Sequence, residues 1–227
     1  MAAVTFDEVM LELEALGKEN LKKRYAGRGA REPLFGVATG AMKPLFRKIK
    51  KDQALAEALY ATGNYDAMYF AGMIADPQAM TEADFDRWIQ SAYFPMLSDF
   101  VVAVTLAEAD CAQAVADRWI GDGEELRRSA GWACYEWLLG WRPDAAFDRE
   151  KIASMLETVA RTVHGEADQV RLAMNNFVTA VGVSYLPLHG EALAVAAGNP
   201  ALSVAADAIR RMEAKGQLGF KRKAVRC

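Results

Sequence analysis

Hydrophobic residues recur at steps of three and four along almost the whole chain, which is the spacing of one face of a helix. The first such run is Phe6, Val9, Met10, Leu13 and Leu16. Shorter runs follow near residues 45–49, 55–59, 67–74, 85–89 and 100–106. Longer segments are predicted over residues 111–120, 123–140, 148–163, 166–182, 185–197 and 201–215.

Helix signals and chain breakers divide this pattern into short elements. Thr81 is followed by Asp84, which predicts a capping box, and Pro44 is expected in the first turn after Thr39. Alternating runs bounded by hairpin turns are nearly absent. Pro or Gly interrupts the pattern every ten to twenty residues or so. The pattern therefore predicts about a dozen short helices and an all-α fold.

Antiparallel helices paired at a period of roughly 40 residues are typical of a HEAT-type α-α superhelix. We expect a curved solenoid of about six helix pairs over residues 1–214, followed by a C-terminal tail at 215–227. Self-similarity between the pairs is weak, so a compact helical bundle remains the alternative.

Composition narrows the class of protein. The chain has 227 residues, of which 52% are hydrophobic and 25% charged, as in ordinary globular proteins. It has no apolar run of the roughly 18 to 20 residues that cross a bilayer, and residues 1–17 lack the basic start of a signal peptide. Three scattered cysteines (Cys111, Cys134 and Cys227) and two histidines argue against disulfides and a metal site. We expect a cytoplasmic protein without a membrane partner.

Charge is distributed unevenly along the chain. Residues 18–51 hold eleven basic residues and two acidic ones, whereas residues 52–126 hold two basic and fourteen acidic ones. The last thirteen residues carry five basic residues and no acid. Such separation suggests faces that meet an anionic partner, although solvated helix faces would give the same pattern.

Four segments in this order resemble the AlkD-like family of bacterial DNA alkylation repair proteins, which are HEAT-like repeat DNA glycosylases. They are RYAGRGAREPLFGVATGAMKPLFRKIKKDQALAEALY, WIQSAYFPMLSDFVVA, ELRRSAGWACYEWLL and DQVRLAMNNFVTAVG. The resemblance implies a protein that holds double-stranded DNA and cleaves the N-glycosidic bond of cationic N3- or N7-alkylpurines. We expect alkylated or distorted double-stranded DNA as the partner, and a monomeric protein. A carboxylate would stabilise the oxocarbenium-like sugar, and no metal or organic cofactor is implied.

The resemblance also assigns residues. Asp99 in LSDF matches the catalytic aspartate of the family, Arg128 matches an arginine that contacts the phosphate beside the lesion, and Tyr25 matches a tyrosine that lines the cleft. A helix cap for Asp99 and a pair with Glu124 for Arg128 are the structural alternatives. Four further DNA contacts are predicted from the basic segments and from their spacing to Arg128: Arg127, Lys43, Arg47 and Trp132. Core packing is the alternative for Trp132.

Two positions depart from the pattern of the family's glycosylases. A tryptophan four residues before the aspartate is replaced by Pro95, and a later tryptophan is replaced by Asn176. Tyr93 or Phe94 could supply the first ring, whereas no obvious residue supplies the second. Three hypotheses therefore stand: a DNA glycosylase, a catalytically silent binder of distorted or branched DNA, and a helical-repeat scaffold for an acidic protein.

Overall fold

The computed structural model describes residues 4–225, and every regular element in that range is helical, with no strand among them. This confirms the predicted all-α fold. The described chain divides into two compact units, residues 4–105 and Leu106–Val225, here called the first and the second unit. The prediction of one domain ending at residue 214 stays a prediction.

The first unit consists of short helices and one π-helical turn. In chain order these are α1 (Phe6–Leu16), α2 (Glu19–Ala26), α3 (Thr39–Ile49), α4 (Gln53–Tyr60), α5 (Tyr65–Ile74), a 3-10 turn (Pro77–Ala79), α6 (Glu82–Ser91), α7 (Pro95–Leu97) and the π turn (Ser98–Val102). The chain continues directly from the π turn into α8 (Ala103–Ala107), within which the boundary between the two units falls.

The second unit contains longer helices joined by 3-10 turns. They are α9 (Ala112–Ile120), α10 (Glu125–Trp141), α11 (Arg149–Thr162), α12 (Asp168–Ser184), α13 (His189–Ala197) and α14 (Ser203–Ala214). The connecting 3-10 turns are Asp144–Ala146, Val163–Gly165, Leu186–Leu188 and Pro200–Leu202.

Local signals in the sequence account for several helix starts. Thr81 and Asp84 form the predicted capping box, in which each side chain accepts a hydrogen bond from the backbone N–H of the other residue. Thr5 and Glu8 form a second box at the start of α1. The expectation for Pro44 was wrong, because α3 begins at Thr39 and places Pro44 in its second turn.

The core of the second unit lies between α10 and α12. Gly131 lets α10 approach α9 closely, since a Cβ atom there would lie 2.8 Å from the backbone nitrogen of Ile120. Gly182 of α12 has the same role against Ile209 of α14, where a Cβ would lie 2.4 Å from the Ile209 side chain. The contact at Gly131 fixes the packing of α10, the helix that carries Arg127 and Arg128.

Two cysteines lie among the described residues and both are free thiols. Cys134 is buried in α10, and burial raises the pKa of its thiol well above the ordinary value. It therefore stays a protonated, unreactive core residue. Cys227 lies outside the described residues.

Over residues 4–225, no single helix is long and apolar enough to cross a membrane. The segments Asp168–Ser184 and Leu186–Ala197 reach that length and composition only together, and they are bent by 107° relative to one another.

Candidate nucleic-acid interface

The loop between α2 and α3 is fixed by one buried carboxylate. Asp66, in the first turn of α5, is fully buried and accepts hydrogen bonds from the backbone N–H groups of Phe35, Gly36 and Val37 at 2.7, 2.9 and 2.8 Å. Gly36 has φ +83°, and a Cβ there would lie 2.5 Å from the backbone nitrogen of Lys22. Three backbone N–H groups of an irregular loop are thereby satisfied, and this part of the loop is tied to α5.

A set of aromatic rings packs beside this loop. Tyr65 is buried, and the ring centroids of Tyr25, Phe94 and Tyr69 lie 5.2, 5.3 and 6.2 Å from its own, all in edge-to-face geometry. Tyr93 stacks on Phe94 at 5.3 Å. Tyr25, Tyr69 and Tyr93 are half-exposed, so three rings offer part of their surface to solvent.

Hydrogen bonds hold two of these tyrosines. The Tyr25 hydroxyl donates to the carbonyl oxygen of Val37 at 3.0 Å, and the Tyr93 hydroxyl accepts from the backbone N–H of Arg31 at 3.4 Å. Burial raises the pKa of both hydroxyls above their ordinary value, so both stay protonated at neutral pH.

Cations surround the tyrosines. The Arg31 guanidinium lies 5.3 Å above the ring of Tyr93, in cation–π geometry. Arg24 and Arg28 belong to the same stretch as Tyr25, and all three arginines are exposed. None of the three forms an ion pair with any residue in the described range 4–225. We call Arg24, Arg28 and Arg31 the arginine cluster.

Lys43 and Arg47 add charge on α3. They are four residues apart, so they share one face of the helix. Both side chains are exposed and neither is ion-paired within the described part of the chain. Lys22, Lys23, Lys48 and Lys51 of the basic segment are ion-paired, whereas the arginine cluster, Lys43 and Arg47 present charge that no neighbouring acid of the described chain neutralises.

Asp99, the predicted catalytic residue, lies in the π-helical turn that follows α7. It is not at the helix start, since the N-cap residue of α7 is Phe94. Its carboxylate is 4% exposed, and its Oδ1 accepts a hydrogen bond from the Ser98 hydroxyl at 2.7 Å. The N-cap alternative for Asp99 therefore does not apply.

The two predicted arginines of α10 have acidic partners. Arg128 is ion-paired with Glu166, a residue just before α12, and not with Glu124 of its own helix turn. Arg127 is ion-paired with Asp122, with 3.3 Å between Nη1 and Oδ2. Both guanidinium groups are therefore already engaged with carboxylates in this structure.

Trp132 lies in the core of the second unit. Its side chain is 1% exposed, and its ring centroid is 5.1 Å from that of Phe177 on α12. A ring buried in this way presents no face to a ligand, so we assign Trp132 to helix packing.

A small cavity of about 260 Å³ opens in the second unit between α10, α12 and the segment after α14. Asn176 lines it together with Glu136, Thr179, Phe220 and Arg222. Sequence reasoning found no aromatic residue to accompany Asn176, yet Phe220 lines the same cavity from the C-terminal segment. The sequence signal for this ring was weak: Phe220 follows Gly219 within a basic stretch. No sequence pattern near Phe220 predicts that it lies beside α12.

Comparison with known proteins assigns the family. Residues 9–212 match the family model described as DNA alkylation repair enzyme. The chain belongs to this family. Family membership confirms the resemblance seen in the four sequence segments.

Two curated relatives are similar over most of their length. One is an uncharacterized protein of Listeria innocua, 27% identical over 199 residues, and the other is an uncharacterized protein of Listeria monocytogenes, 28% identical over 199 residues. Each alignment covers 85% of this chain and 85% of the relative.

A solved structure is considerably more similar to this chain. It is described as a member of a new family of proteins related to the HEAT-like repeat DNA glycosylases with affinity for branched DNA structures. It is 56% identical, covers 98% of this chain and 99% of its own, and superposes with a TM-score of 0.92. The predicted HEAT-like fold is thereby confirmed.

Proposed function

We propose that this family member is a DNA-binding protein that prefers branched or distorted DNA to uninterrupted duplex. The observation that carries the proposal is the arginine cluster, which has no ion-pair partner in the described chain, beside three half-exposed tyrosines. Cations without neighbouring acids attract phosphate, and exposed rings stack on bases that have left the duplex.

The relative of known structure supports the preference for branched DNA. That protein belongs to a family with affinity for branched DNA structures, and it is 56% identical to this chain. A branch point differs from duplex in two ways: it brings phosphates of several arms together, and it leaves bases partly unstacked. The tyrosines and the arginine cluster suit both features.

Lys43 and Arg47 extend the same contact along α3 in this proposal. Tyr25 contributes its ring beside the arginine cluster. Arg127 and Arg128 contribute only after their carboxylate partners are displaced, so we assign them a secondary part. The protein acts in the cytoplasm and as a monomer in this proposal. Light scattering with and without DNA checks the monomeric state.

The test compares binding to a four-way junction and to a linear duplex of the same total length and composition. We expect the junction to bind at least about tenfold more tightly over roughly 50 to 200 mM KCl. Arg24, Arg28 and Arg31 are changed together to Gln in the test variant. The slope of log affinity against log salt concentration should then become less negative by about 2 to 3.

A matched control removes the same charge from arginines that have partners. Arg87 is ion-paired with Glu57 and Asp84, Arg149 with Glu191, and Arg171 with Asp168. Changing Arg87, Arg149 and Arg171 to Gln should leave the salt slope nearly unchanged. Equal affinity of the wild-type protein for junction and duplex would contradict the proposal.

A second candidate is hydrolysis of the N-glycosidic bond of cationic alkylpurines, with Asp99 as the carboxylate that stabilises the oxocarbenium-like sugar. The observation in its favour is the π-helical turn at Asp99, since π turns within α-helices occur frequently at functional sites. Ser98 would orient the carboxylate through the bond between its hydroxyl and Oδ1.

This candidate is tested by single-turnover release of base from a duplex with one 7-methylguanine, with Asp99→Asn measured in parallel. Release that is lost in Asp99→Asn while junction binding persists would make the protein a glycosylase. Release no faster than the spontaneous rate would leave Asp99 with a structural role and the DNA-binding proposal intact.

A further inference from the structure

The segment after α14 holds one exposed aromatic ring in a fixed position. Phe220 is 69% exposed, which is unusual for a phenylalanine because its burial is normally favourable. It follows Gly219, whose φ of +74° suits glycine, and a Cβ at Gly219 would lie 2.9 Å from the Leu186 side chain.

Backbone hydrogen bonds clamp the chain on both sides of the ring. The Gly219 N–H donates to the carbonyl oxygen of Val183 at 2.7 Å, and the Arg222 N–H donates to the carbonyl oxygen of Gly140 at 2.8 Å. These bonds attach the segment to the C-terminal ends of α12 and α10. Phe220 therefore lies on a docked segment of chain.

The side chains of the two neighbours strengthen the attachment. Lys221 donates to the carbonyl oxygen of Leu139 at 2.7 Å and lies 2.8 Å from the carboxylate of Asp144. The Arg222 guanidinium lies 4.4 Å from the ring centroid of Trp137. Lys221 thus serves only to attach the segment. Arg222 helps to attach it and also lines the cavity beside Phe220.

The cavity beside Phe220 has the size and chemistry for one flat, polar-edged ring. Its volume of about 260 Å³ is below the roughly 300 to 1,000 Å³ of sites for drug-sized ligands. Its lining combines the Phe220 face with the Asn176 amide, the Thr179 hydroxyl and the Glu136 carboxylate. Amide and carboxylate groups can hydrogen-bond the edge of a nucleobase.

The charge around the ring indicates what approaches it. Lys215, Arg222 and Lys223 are exposed, and none of them forms an ion pair with another residue of the described chain. Residues 215–223 contain no acid. An exposed ring among cations suits a nucleic-acid strand, because the cations attract the phosphates while the ring stacks on a base.

We propose that Phe220 is a stacking platform for an unpaired base of a DNA strand, which inserts between the Phe220 ring and the Asn176 side of the cavity. The inference rests on the proposed binding of branched DNA and names the site that takes a base released at a branch. A fully paired duplex offers no such base and leaves this site unused.

The experiment uses the full-length protein and two DNA probes: a linear duplex and a forked duplex whose single-stranded arm starts at the branch. Phe220→Ala should weaken binding to the fork about 5- to 100-fold and leave duplex binding unchanged. Phe220→Trp, which keeps a stacking ring, should bind the fork within about twofold of the wild-type protein. Phe220→Leu keeps an apolar side chain but has no aromatic ring to stack on a base. If stacking is what binds the fork, Phe220→Leu should therefore bind it as weakly as Phe220→Ala does.

Leu11→Ala is the matched control for exposed apolar surface. Leu11 is 66% exposed on α1, close to the exposed fraction of Phe220, and has no role in the proposed site. Leu11→Ala and Phe220→Ala should both melt at the temperature of the wild-type protein. A direct readout comes from 2-aminopurine placed at the first unpaired position of the fork, whose fluorescence the wild-type protein and Phe220→Trp should quench and Phe220→Leu should not.

The outcomes separate the two proposals. If the wild-type protein binds fork and duplex equally, the proposed preference for branched DNA is wrong. If it prefers the fork and Phe220→Ala binds the fork as tightly as the wild-type protein, the preference stands and the assignment of Phe220 is overturned.

Discussion

The arginines of the arginine cluster in the first unit are available, whereas the two arginines of α10 that the sequence singled out in the second unit are engaged with carboxylates. Arg24, Arg28 and Arg31 are exposed and have no acidic partner in the described chain, while Arg127 and Arg128 are paired with Asp122 and Glu166. The residue type is the same in both regions. The difference teaches that the availability of a cation depends on what the fold brings beside it.

The largest effect on stability is expected at Asp66, which fixes the loop between α2 and α3 of the first unit, here called the basic loop because it contains Arg28 and Arg31. In Asp66→Asn, the amide oxygen can accept from some of the three backbone N–H groups, but the new NH₂ group faces the others. We expect the free energy of unfolding to fall by about 4 kcal/mol, measured by urea denaturation. Asp52→Asn is the control: Asp52 accepts a single N–H, from Leu55, and Asn caps a helix about as well as Asp, so this change should cost less than about 0.5 kcal/mol.

That variant also tests whether the arginine cluster depends on the loop. If Asp66→Asn remains folded at low temperature, its affinity for a junction should fall as well. Unchanged stability of Asp66→Asn would mean that the three hydrogen bonds contribute nothing to the first unit.

The next effect concerns the engaged arginine of the second unit. Glu166→Gln removes the carboxylate that neutralises the half-buried Arg128 guanidinium, and we expect a loss of about 2 kcal/mol in stability. The released arginine can contact one more phosphate, so the slope of log affinity for DNA against log salt concentration should become more negative by about 1. Glu191→Gln, at an exposed pair with Arg149, is the control and should cost less than about 1 kcal/mol.

A comparison of double variants sharpens the difference between the units. Lys43→Gln with Arg47→Gln removes two available cations, and we expect junction affinity to fall about tenfold, or about 1.4 kcal/mol. Arg127→Gln with Arg128→Gln removes two paired cations and should change affinity by less than about threefold. Electrophoretic mobility shifts at one salt concentration measure both, and equal losses would remove the distinction between the two regions.

The smallest effect is expected at a helix end that touches neither group of arginines. Asp84→Asn removes the negative charge from the capping box of α6 and should cost about 0.5 kcal/mol at pH 7. The Thr81 backbone N–H, above all, holds the pKa of the Asp84 carboxyl below its ordinary value. The stabilisation is therefore present above that ordinary value and is lost as the pH falls through the lowered pKa.

Thermal melts of Asp84→Asn and the wild-type protein should accordingly converge once the pH has fallen below the lowered pKa of Asp84. Thr81→Ser, which keeps the hydroxyl, should match the wild-type protein at every pH. A constant difference between Asp84→Asn and the wild type down to the lowest pH would show that ionisation of Asp84 is not what stabilises the helix end.

Local patterns in the sequence predicted the helices, since three- and four-residue spacing and the Thr81–Asp84 box depend on neighbours along the chain. Pro44 was misplaced because it lies five residues beyond Thr39, where α3 begins, whereas the first helical turn spans only about 3.6 residues. The partners of the site residues could not be predicted. Glu166 reaches Arg128 across 38 residues, and no sequence pattern places Phe220 beside Asn176.

The three hydrogen bonds to Asp66 have a consequence for the energetics of recognition. A loop whose backbone is already ordered loses little conformational entropy when a ligand binds to it. Its amide hydrogens at Phe35, Gly36 and Val37 should exchange with deuterium only when α5 opens, although the loop has no regular structure. The basic loop is thus preorganised, and complexes formed on it should differ mainly in how slowly they dissociate.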